Sequence, residues 1–297
     1  IDQRALPLDA TYTYAQSGAG VDVYCIDTGI RLDHVDFGGR AVTGYDAINI
    51  GGTAADDNGH GTHTAGTIGG STYGVAKAAR LIAVKVLNAN GSGSYSQVIA
   101  GIDWVTAHHT TRPAVANMSL GGPADPGLAQ AVRNSIADGV TYCVSAGNSS
   151  TDAANQSPSN VAEAITVGAT SSTDGWASFS NYGSLVDIAA PGVSVTSDYH
   201  SSTTAAATMS GTSMSSPHVA GASALYLEAH PAALPGEVQA ALTSSATAGV
   251  IASVPVGTVT RAQLTTESKS VENGPKTTVP ELSVAIGVPS GSDHVTC

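Results

Sequence analysis

Short apolar runs rich in valine and isoleucine alternate with helix-like stretches along the first 170 residues of the chain. The runs are VDVYCID, LIAVKVL, AVANMSL, VTYCVSA and AITVGAT, and two of the intervening stretches are SQVIAGIDWVTAHH and GLAQAVRNSIADG. This alternation predicts a three-layer α/β fold with a mostly parallel central sheet. Because the runs lack polar alternation, helices should cover both faces of the sheet. Ligands of such folds bind beyond the carboxyl ends of the strands, so polar residues that end strands are candidates for function.

Composition narrows the classes of function. Apolar residues make up 42% of the 297 residues and charged residues 11%, which is typical of a compact globular protein. The formal net charge is −12 with scattered Lys and Arg, so we expect no nucleic-acid partner. No apolar run reaches the ~18 residues that a membrane helix needs, and the first residues lack signal-peptide blocks. We therefore expect no membrane partner and a targeting segment that has already been removed.

One domain is expected over residues 1–264, because the composition changes after residue 264. The remaining residues, 265–297, are rich in Thr, Ser, Pro and Val without a helical period, and we treat them as a C-terminal extension of unknown role. The cysteines Cys25, Cys143 and Cys297 are too few for a disulfide scaffold, and their odd number leaves at least one unpaired within the chain.

The first of three motifs with candidate chemistry is Asp27-Thr28-Gly29, at the end of an apolar run. It places a carboxylate at a strand end, before a glycine that lets the chain turn away. Taken alone, it also fits a turn-initiating aspartate or an aspartic protease. The second class needs two carboxylates that share a proton, and no second Asp-Thr-Gly or Asp-Ser-Gly occurs.

The other two motifs are NGHGTHTAG, around His60, and SGTSMSSPHVAG, around Ser213. His60 alone fits a helix cap or a core residue. His60 and His63 could share a metal, but neither an HExxH pattern nor a cysteine pair supports zinc.

Ser213 fits the start of a buried helix, as an N-cap or as a nucleophile. Pro217 is tolerated in a first turn, which predicts a helix start near Ser213, where negative charge is favoured.

The three motifs follow one another in the order Asp, His and Ser, which is the chain order of the subtilisin triad. Together with further motifs they resemble the subtilisin-like serine proteases, and within them the branch of proteinase K and the aqualysin-like bacterial enzymes. The resemblance covers residues 1–264. The further motifs are Ser119-Leu120-Gly121-Gly122, Ser145-Ala146-Gly147-Asn148, Ser178-Phe179-Ser180-Asn181-Tyr182-Gly183 and Ala190-Pro191-Gly192.

The resemblance implies a secreted, extracellular serine endopeptidase of broad specificity that forms an acyl-enzyme. Asp27, His60 and Ser213 would be the catalytic triad, and Asn148 the side-chain donor of the oxyanion hole. We expect a hydrogen bond of about 2.6 to 3.2 Å from Ser213 to His60, and activity that rises through an apparent pKa near about 6.5. A glycan on Asn148 or Asn117 would block the cleft, so we reject these glycosylation matches. The alternative is a subtilase fold used as a non-catalytic binding module or as a peptide ligase.

Substrate would lie as an added strand between two segments of the chain. The resemblance assigns Gly93, Ser94, Tyr95, Ser119, Leu120 and Gly121 to this cleft, and Ala146 and Gly147 to the primary pocket. Tyr95 would border the pocket for the fourth residue before the scissile bond. The small pocket residues predict a preference for apolar or aromatic residues before the cut. The implied partners are protein and peptide substrates, a removed propeptide or proteinaceous inhibitors, and the protein would be a monomer.

Relatives in this branch bind stabilising calcium, so the resemblance implies calcium as a structural cofactor and no catalytic cofactor. One site would combine the carboxylate of Asp187 with the carbonyls of Ala162 and Ala164. A second set, near the amino terminus, would lack an aspartate that should precede the first residue. Its members are Asp2, Gln3 and Asp9.

The resemblance also bears on two cysteines. The family's sheet places the strand of Ala116 and Met118 between the strands of Cys25 and Cys143. Two strand spacings are roughly 9.6 Å, beyond the disulfide reach of about 7 Å between Cα atoms. We therefore expect Cys25 and Cys143 to be buried free thiols.

Overall fold

The computed structural model describes residue 2 and residues 4–7, 9–109, 111–258, 262–263, 277–278 and 294–297. Its strands are β1 (Thr11–Tyr12), β2 (Asp22–Asp27), β3 (Ala41–Asp46), β4 (Arg80–Lys85), β5 (Ser92–Ser94), β6 (Ala114–Met118), β7 (Gly122–Pro123), β8 (Thr141–Ser145), β9 (Gln156–Ser157), β10 (Ile165–Thr170), β11 (Ile188–Pro191), β12 (Val195–Asp198), β13 (Ala206–Met209), β14 (Thr247–Ala248), β15 (Ala262–Gln263), β16 (Thr277–Thr278) and β17 (His294–Thr296). Its helices are α1 (His60–Gly69), α2 (Tyr95–His108), α3 (Pro126–Ala137), α4 (Thr212–Ala229) and α5 (Pro235–Ser245), with short 3-10 helices at Val35–Phe37 and Ala153–Asn155. None of the helices in the described ranges is long and apolar enough to span a membrane.

The central sheet has the strand order β14-β15-β11-β10-β8-β6-β2-β4-β3. The strands from β11 to β3 in this order are parallel to their neighbours, while β14 pairs with β15 in the antiparallel sense. Helices α1, α4 and α5 contribute to one apolar core and helices α2 and α3 to the other. This confirms the predicted three-layer α/β architecture.

Alternation along the buried strands builds these two cores. In β2, Val23 and Cys25 belong to the core that contains α4, whereas Tyr24 and Ile26 belong to the core that contains α2. All four side chains are at most 1% exposed. Because successive side chains of a strand point to opposite faces, a strand covered on both faces reads as a continuous apolar run.

The register of three central strands explains the two buried cysteines. Asn117 of β6 pairs with Cys25 of β2 on one side and with Cys143 of β8 on the other. Both cysteines are fully buried and free. The predicted free thiols and the predicted intervening strand are therefore confirmed.

Parts of the predicted C-terminal extension pair with strands from the first third of the chain. β16 pairs with β1, and β17 pairs with β5, both in the antiparallel sense. The division of the chain at residue 264 stays a prediction.

Candidate functional site

The three triad candidates lie where two helices begin beside a strand end. Asp27 is the last residue of β2, His60 is the first residue of α1, and Ser213 is the second residue of α4. The two helices pack against each other, and α4 also packs against β6 and β8. The candidates therefore meet near the carboxyl ends of parallel strands, where ligands of such sheets bind.

Asp27 and His60 form a buried hydrogen-bonded pair. His60 Nδ1 lies 2.8 Å from Asp27 Oδ1 and 3.0 Å from Asp27 Oδ2, and Asp27 Oδ1 also accepts the Thr28 N–H at 2.7 Å. Asp27 is fully buried and His60 is 5% exposed. A carboxylate beside Nδ1 holds a proton on that nitrogen, which leaves Nε2 as the acceptor of the neutral ring.

Opposing effects act on the titration of His60. Burial disfavours the charged imidazolium, but the charge and the hydrogen bond of Asp27, with a further contribution from the charge of Cys297, raise the pKa of His60 well above its ordinary value. The buried carboxylate partner favours the charged ring because it stabilises the imidazolium. The expectation that activity rises through an apparent pKa near about 6.5 stays a prediction.

Asp56, which sequence reasoning missed, holds the turn that leads into α1. Its carboxylate accepts hydrogen bonds from Thr28 Oγ1 at 2.8 Å and from Thr62 N at 2.9 Å. Thr28 Oγ1 in turn accepts the Gly61 N–H at 2.9 Å. The network ties the residue after Asp27 to the residue after His60. The available signal was an aspartate shortly before a helix start, which is a common capping arrangement.

Pro217 lies in the second turn of α4, and not in the first turn as predicted, because the helix begins at Thr212. A proline at this position cannot donate to the carbonyl of the fourth residue before it, which is Ser213. Ser119 Oγ donates to that carbonyl instead, at 2.8 Å, and itself accepts from Asn117 Nδ2 at 2.9 Å. The proline therefore frees a carbonyl that anchors the start of α4 to the segment after β6.

The expected hydrogen bond from Ser213 to His60 is absent from the described residues. Ser213 Oγ donates to the Ser119 carbonyl at 3.3 Å, and His60 Nε2 is buried without a hydrogen-bond partner. Catalytic hydrogen bonds are often long or misaligned before substrate binds. Cys297 is close enough to influence the same ring.

Asn148 lies after β8 with one end of its amide held in place. Its Oδ1 accepts the Thr212 N–H at 2.8 Å and the Thr212 hydroxyl at 2.9 Å. The Nδ2 end lies near Gly211, the residue that precedes α4. The donor end of Asn148 is therefore directed to the region around the start of α4, which carries Ser213.

The predicted cleft residues form two segments that face each other across β17. The first segment consists of Gly93, Ser94 and Tyr95, and the second consists of Ser119, Leu120 and Gly121. Val295 of β17 pairs with Gly93, and Thr296 forms a bridge with Gly121. Both segments are therefore within strand-pairing distance of one peptide, which is the arrangement expected for a bound strand.

Ala146 and Gly147 follow β8 and have little room for larger side chains. Ala146 is fully buried, and Gly147 has a φ of 102°, where a Cβ would overlap the side-chain amides of Asn181 and Gln156. The Gly147 N–H donates to Thr212 Oγ1 at 3.1 Å. These contacts attach the predicted primary pocket to the start of α4.

Two of the predicted calcium ligands converge on one point. Asp187 Oδ1 and the Ala164 carbonyl both accept from Gln239 Nε2, at 3.1 and 3.5 Å, and Asp187 Oδ2 accepts the Thr166 N–H at 2.8 Å. Burial raises the pKa of Asp187 to about 6, against smaller lowering effects of those two hydrogen bonds. A half-buried carboxylate and a convergent carbonyl suit a hard cation in place of the Gln239 amide, so the donor set fits calcium.

The remaining predicted calcium ligands are Ala162 and the amino-terminal set. Ala162 lies in the turn before β10. Asp2 Oδ2 accepts the Thr13 N–H at 2.8 Å, and Asp9 Oδ1 accepts from Thr11 N and Oγ1 at 2.8 and 2.6 Å. Gln3 lies outside the described residues. Within the described ranges, no group of three or more His, Cys, Asp or Glu side chains could hold a metal ion, so any site at Asp187 depends on one carboxylate.

His63, weighed above as a metal ligand, is a core residue. It is fully buried, and its Nε2 lies 3.1 Å from the Val195 carbonyl. Burial, with a smaller effect of His60, lowers the pKa of His63 to about 3, despite the opposing hydrogen bonds to backbone carbonyls. His63 is therefore neutral across the physiological range.

Two curated relatives of this chain are named as serine proteases. The chain is 59% identical over 251 residues to an extracellular serine proteinase of Thermus sp. (strain Rt41A), an alignment that covers 84% of this chain and 61% of the relative. It is 51% identical over 251 residues to alkaline serine exoprotease A of Vibrio alginolyticus, with 84% of this chain and 46% of the relative covered. The chain thus spans about half to three fifths of the length of these relatives.

A solved structure and a family model give the same result. The crystal structure of a cold adapted subtilisin-like serine proteinase matches with a TM-score of 0.88 and 46% identity, covering 91% of this chain and 97% of that chain. The family model described as the Subtilase family matches residues 18–275. With most of its length matched by this model and by relatives of such identity, the chain belongs to the subtilase family.

Proposed function

We propose that this chain is a secreted serine endopeptidase that hydrolyses peptide bonds of proteins with broad specificity. Asp27, His60 and Ser213 are its triad. The observation that carries the proposal is the buried 2.8 Å hydrogen bond between Asp27 and His60, beside a helix that begins at Ser213. Secretion is supported by relatives named extracellular proteinase and exoprotease.

The chemistry follows from these positions. His60 Nε2 takes the proton of Ser213 Oγ as that oxygen bonds to the scissile carbonyl carbon, whose second C–O electron pair moves onto the carbonyl oxygen. Asn148 Nδ2 and the Ser213 N–H donate to this oxyanion. His60 then gives its proton to the leaving amine, and the C–N bond breaks. Water repeats the sequence on the acyl-enzyme, while Asp27 stays ionised and stabilises the imidazolium.

Substrate binding in this proposal uses backbone contacts along the two cleft segments, so sequence tolerance is expected. The buried Ala146 and the glycine at Gly147 leave the residue before the cut to be selected by apolar contact. A structural calcium ion, held by Asp187 with the carbonyls of Ala164 and Ala162, would add stability without taking part in the chemistry.

Replacement of the nucleophile tests the proposal. Ser213→Ala should lower kcat on a peptide substrate by about 10⁶-fold, the size found for subtilisin. The matched control is Ser215→Ala, another buried serine of the same helix, whose hydroxyl bonds only to the Thr212 carbonyl among described partners. Retained hydrolysis in Ser213→Ala would overturn the triad.

Labelling separates the alternatives. A sulfonyl fluoride should modify Ser213 stoichiometrically in the parent and leave Ser213→Ala unmodified, since the reaction needs an activated hydroxyl. A non-catalytic binding module would not react. A peptide ligase would react but would transfer the acyl group to an added amine in preference to water. Absence of labelling in a folded protein whose cleft is open to the reagent would reject the enzymatic proposal.

A further inference from the structure

The strand β17 occupies the cleft as its central strand. On one side His294, Val295 and Thr296 pair with β5 in the antiparallel sense. On the other side Thr296 and Gly121 exchange both backbone hydrogen bonds, at 2.9 and 3.0 Å. The next N–H, that of Cys297, donates to the Gly91 carbonyl at 3.2 Å. The segment thus uses both cleft edges at once, as an added peptide strand does.

One side chain of the segment is an anchor. Val295 is fully buried in the core that contains α2 and α3, and Tyr95 packs against the same core from the cleft edge. His294, one residue earlier, is exposed. Because successive strand residues face opposite sides, only one side chain of this pair can enter the apolar pocket. A single buried valine therefore fixes the register of β17.

The end of the segment reaches the catalytic base. Cys297 lies close enough to His60 for its charge to raise the pKa of the imidazole. At the same time His60 Nε2 has no hydrogen-bond partner in the described ranges, and Ser213 Oγ is bonded to the Ser119 carbonyl. The docked segment thus coincides with a triad in which nucleophile and base are not joined.

We propose that residues 294–297 are a built-in peptide inhibitor of this cleft, which blocks substrate until the segment leaves. The proposal rests on the proposed function, since it assigns the occupied cleft to the peptidase site. It also names the peptide class that the cleft selects: an extended strand with a β-branched apolar residue at the position of Val295. Because the inhibitor belongs to the same chain, its occupancy does not depend on protein concentration.

A charge in the anchor pocket should release the segment. Val295→Asp places a carboxylate where the valine is buried, which disfavours docking. For a competitive intramolecular inhibitor, the variant should show a KM at least tenfold lower than the parent, with kcat unchanged. The matched control is Val256→Asp, which changes a valine that is 99% exposed and should leave KM and kcat as in the parent. Intact mass must show residues 294–297 still attached in each assayed protein.

A binding measurement keeps the test independent of turnover. In the Ser213→Ala background, a fluorescent peptide SDHVTC, residues 292–297, should bind Val295→Asp at least tenfold more tightly than it binds the chain with Val295. The peptide SDHDTC should bind neither. Equal binding, or an equal KM, in the two proteins would overturn the inhibitor. Failure of the peptidase assignment would show differently, as absent sulfonyl fluoride labelling in every protein, including Val295→Asp.

Discussion

Two fully buried aspartates lie at opposite ends of α1, and they differ in the hydrogen-bond donors around them. Asp27, at the start of the helix, accepts hydrogen bonds from His60 Nδ1 and from the Thr28 N–H. Asp198, at the other end, has no hydrogen-bond donor for either carboxylate oxygen among the described residues. Burial alone therefore does not decide how a carboxylate behaves, because the partner decides which protonation state is stable.

His34 and the carboxyl end of α1 offer Asp198 acceptors and partial negative charge instead of hydrogen-bond donors. Its Oδ1 lies 3.5 Å from His34 Nδ1, which accepts the Asp36 N–H, while His34 Nε2 lies 3.0 Å from a backbone carbonyl. Its Oδ2 lies against Gly66 and Gly70, at the carboxyl end of α1. A helix carboxyl terminus carries partial negative charge, which also disfavours a carboxylate.

These surroundings favour the protonated form of the Asp198 carboxyl group. Burial, followed by the charge of Asp36, raises the pKa of Asp198 to about 8, against the lowering effects of Arg40 and Lys77. At neutral pH, Asp198 is therefore mostly a neutral acid. Asp27, at the start of the same helix, instead accepts hydrogen bonds.

The largest expected difference between the two aspartates is in catalysis. Asp27→Asn should lower kcat by about 10⁴-fold, because the amide stabilises the wrong tautomer of His60. Asp198→Asn should keep kcat within about twofold, since Asp198 is placed at the other end of α1 from His60. Steady-state hydrolysis of a peptide substrate measures both. A comparable loss in the two variants would mean that α1 transmits the state of Asp198 to the triad.

The second difference is in stability against pH. The pKa of Asp198 is raised in the folded protein to about 8, whereas an aspartate in the unfolded chain titrates near about 3.9. Between these values the native state holds a proton that the unfolded state has lost, so the free energy of unfolding should fall as pH rises and level off above pH 8. Asp198→Asn cannot ionise and should remove this part of the fall.

Urea unfolding at several pH values in the Ser213→Ala background measures that effect without self-digestion. Relative to its own background, Asp198→Asn should be most stabilising at alkaline pH and nearly neutral in acid. Asp103→Asn, at an exposed position, is the matched control and should follow the background at every pH. A pH dependence identical in Asp198→Asn and its background would contradict a protonated Asp198.

The same two ends of α1 show what the sequence could predict. Asp27, His60 and Ser213 could be found because each lies in a local motif that combines a strand end or helix start with small neighbours. Asp198 and Asp36 could not be paired, since they come from distant stretches and meet only when β12 packs beside α1. The docking of β17 was also missed. The C-terminal residues have no periodic apolar pattern, and their partners in β5 are distant in sequence. Pro217 was misplaced by one turn, since the carbonyl that it leaves free is bonded by a side chain from the distant segment after β6.

A half-buried carboxylate, Asp187, should respond to calcium. Binding to the folded state only, at a concentration of about 100 times Kd, stabilises it by about 2.7 kcal/mol, and each kcal/mol raises the Tm of a domain of this size by roughly 2–4 °C. In the Ser213→Ala background, a chelator should lower the Tm by several degrees, and Asp187→Asn should abolish the response. Asp198→Asn should retain it. Loss of the response in Asp198→Asn would indicate that calcium binds at the Asp36–Asp198 pair and not at Asp187.

The smallest effect should come from an exposed carboxylate, Glu163. It forms an ion pair with Arg133 at 3.2 Å, with the two side chains 52% and 39% exposed. Water already solvates both groups, so exposed pairs of this kind contribute about 0.2–1 kcal/mol. Glu163→Gln should therefore lower the free energy of unfolding by less than about 1 kcal/mol. The difference should shrink further in 1 M salt, where the screening length is about 3 Å. Urea unfolding at low and high salt measures it, and a larger loss that persists in high salt would show that exposure is not what separates Glu163 from Asp198.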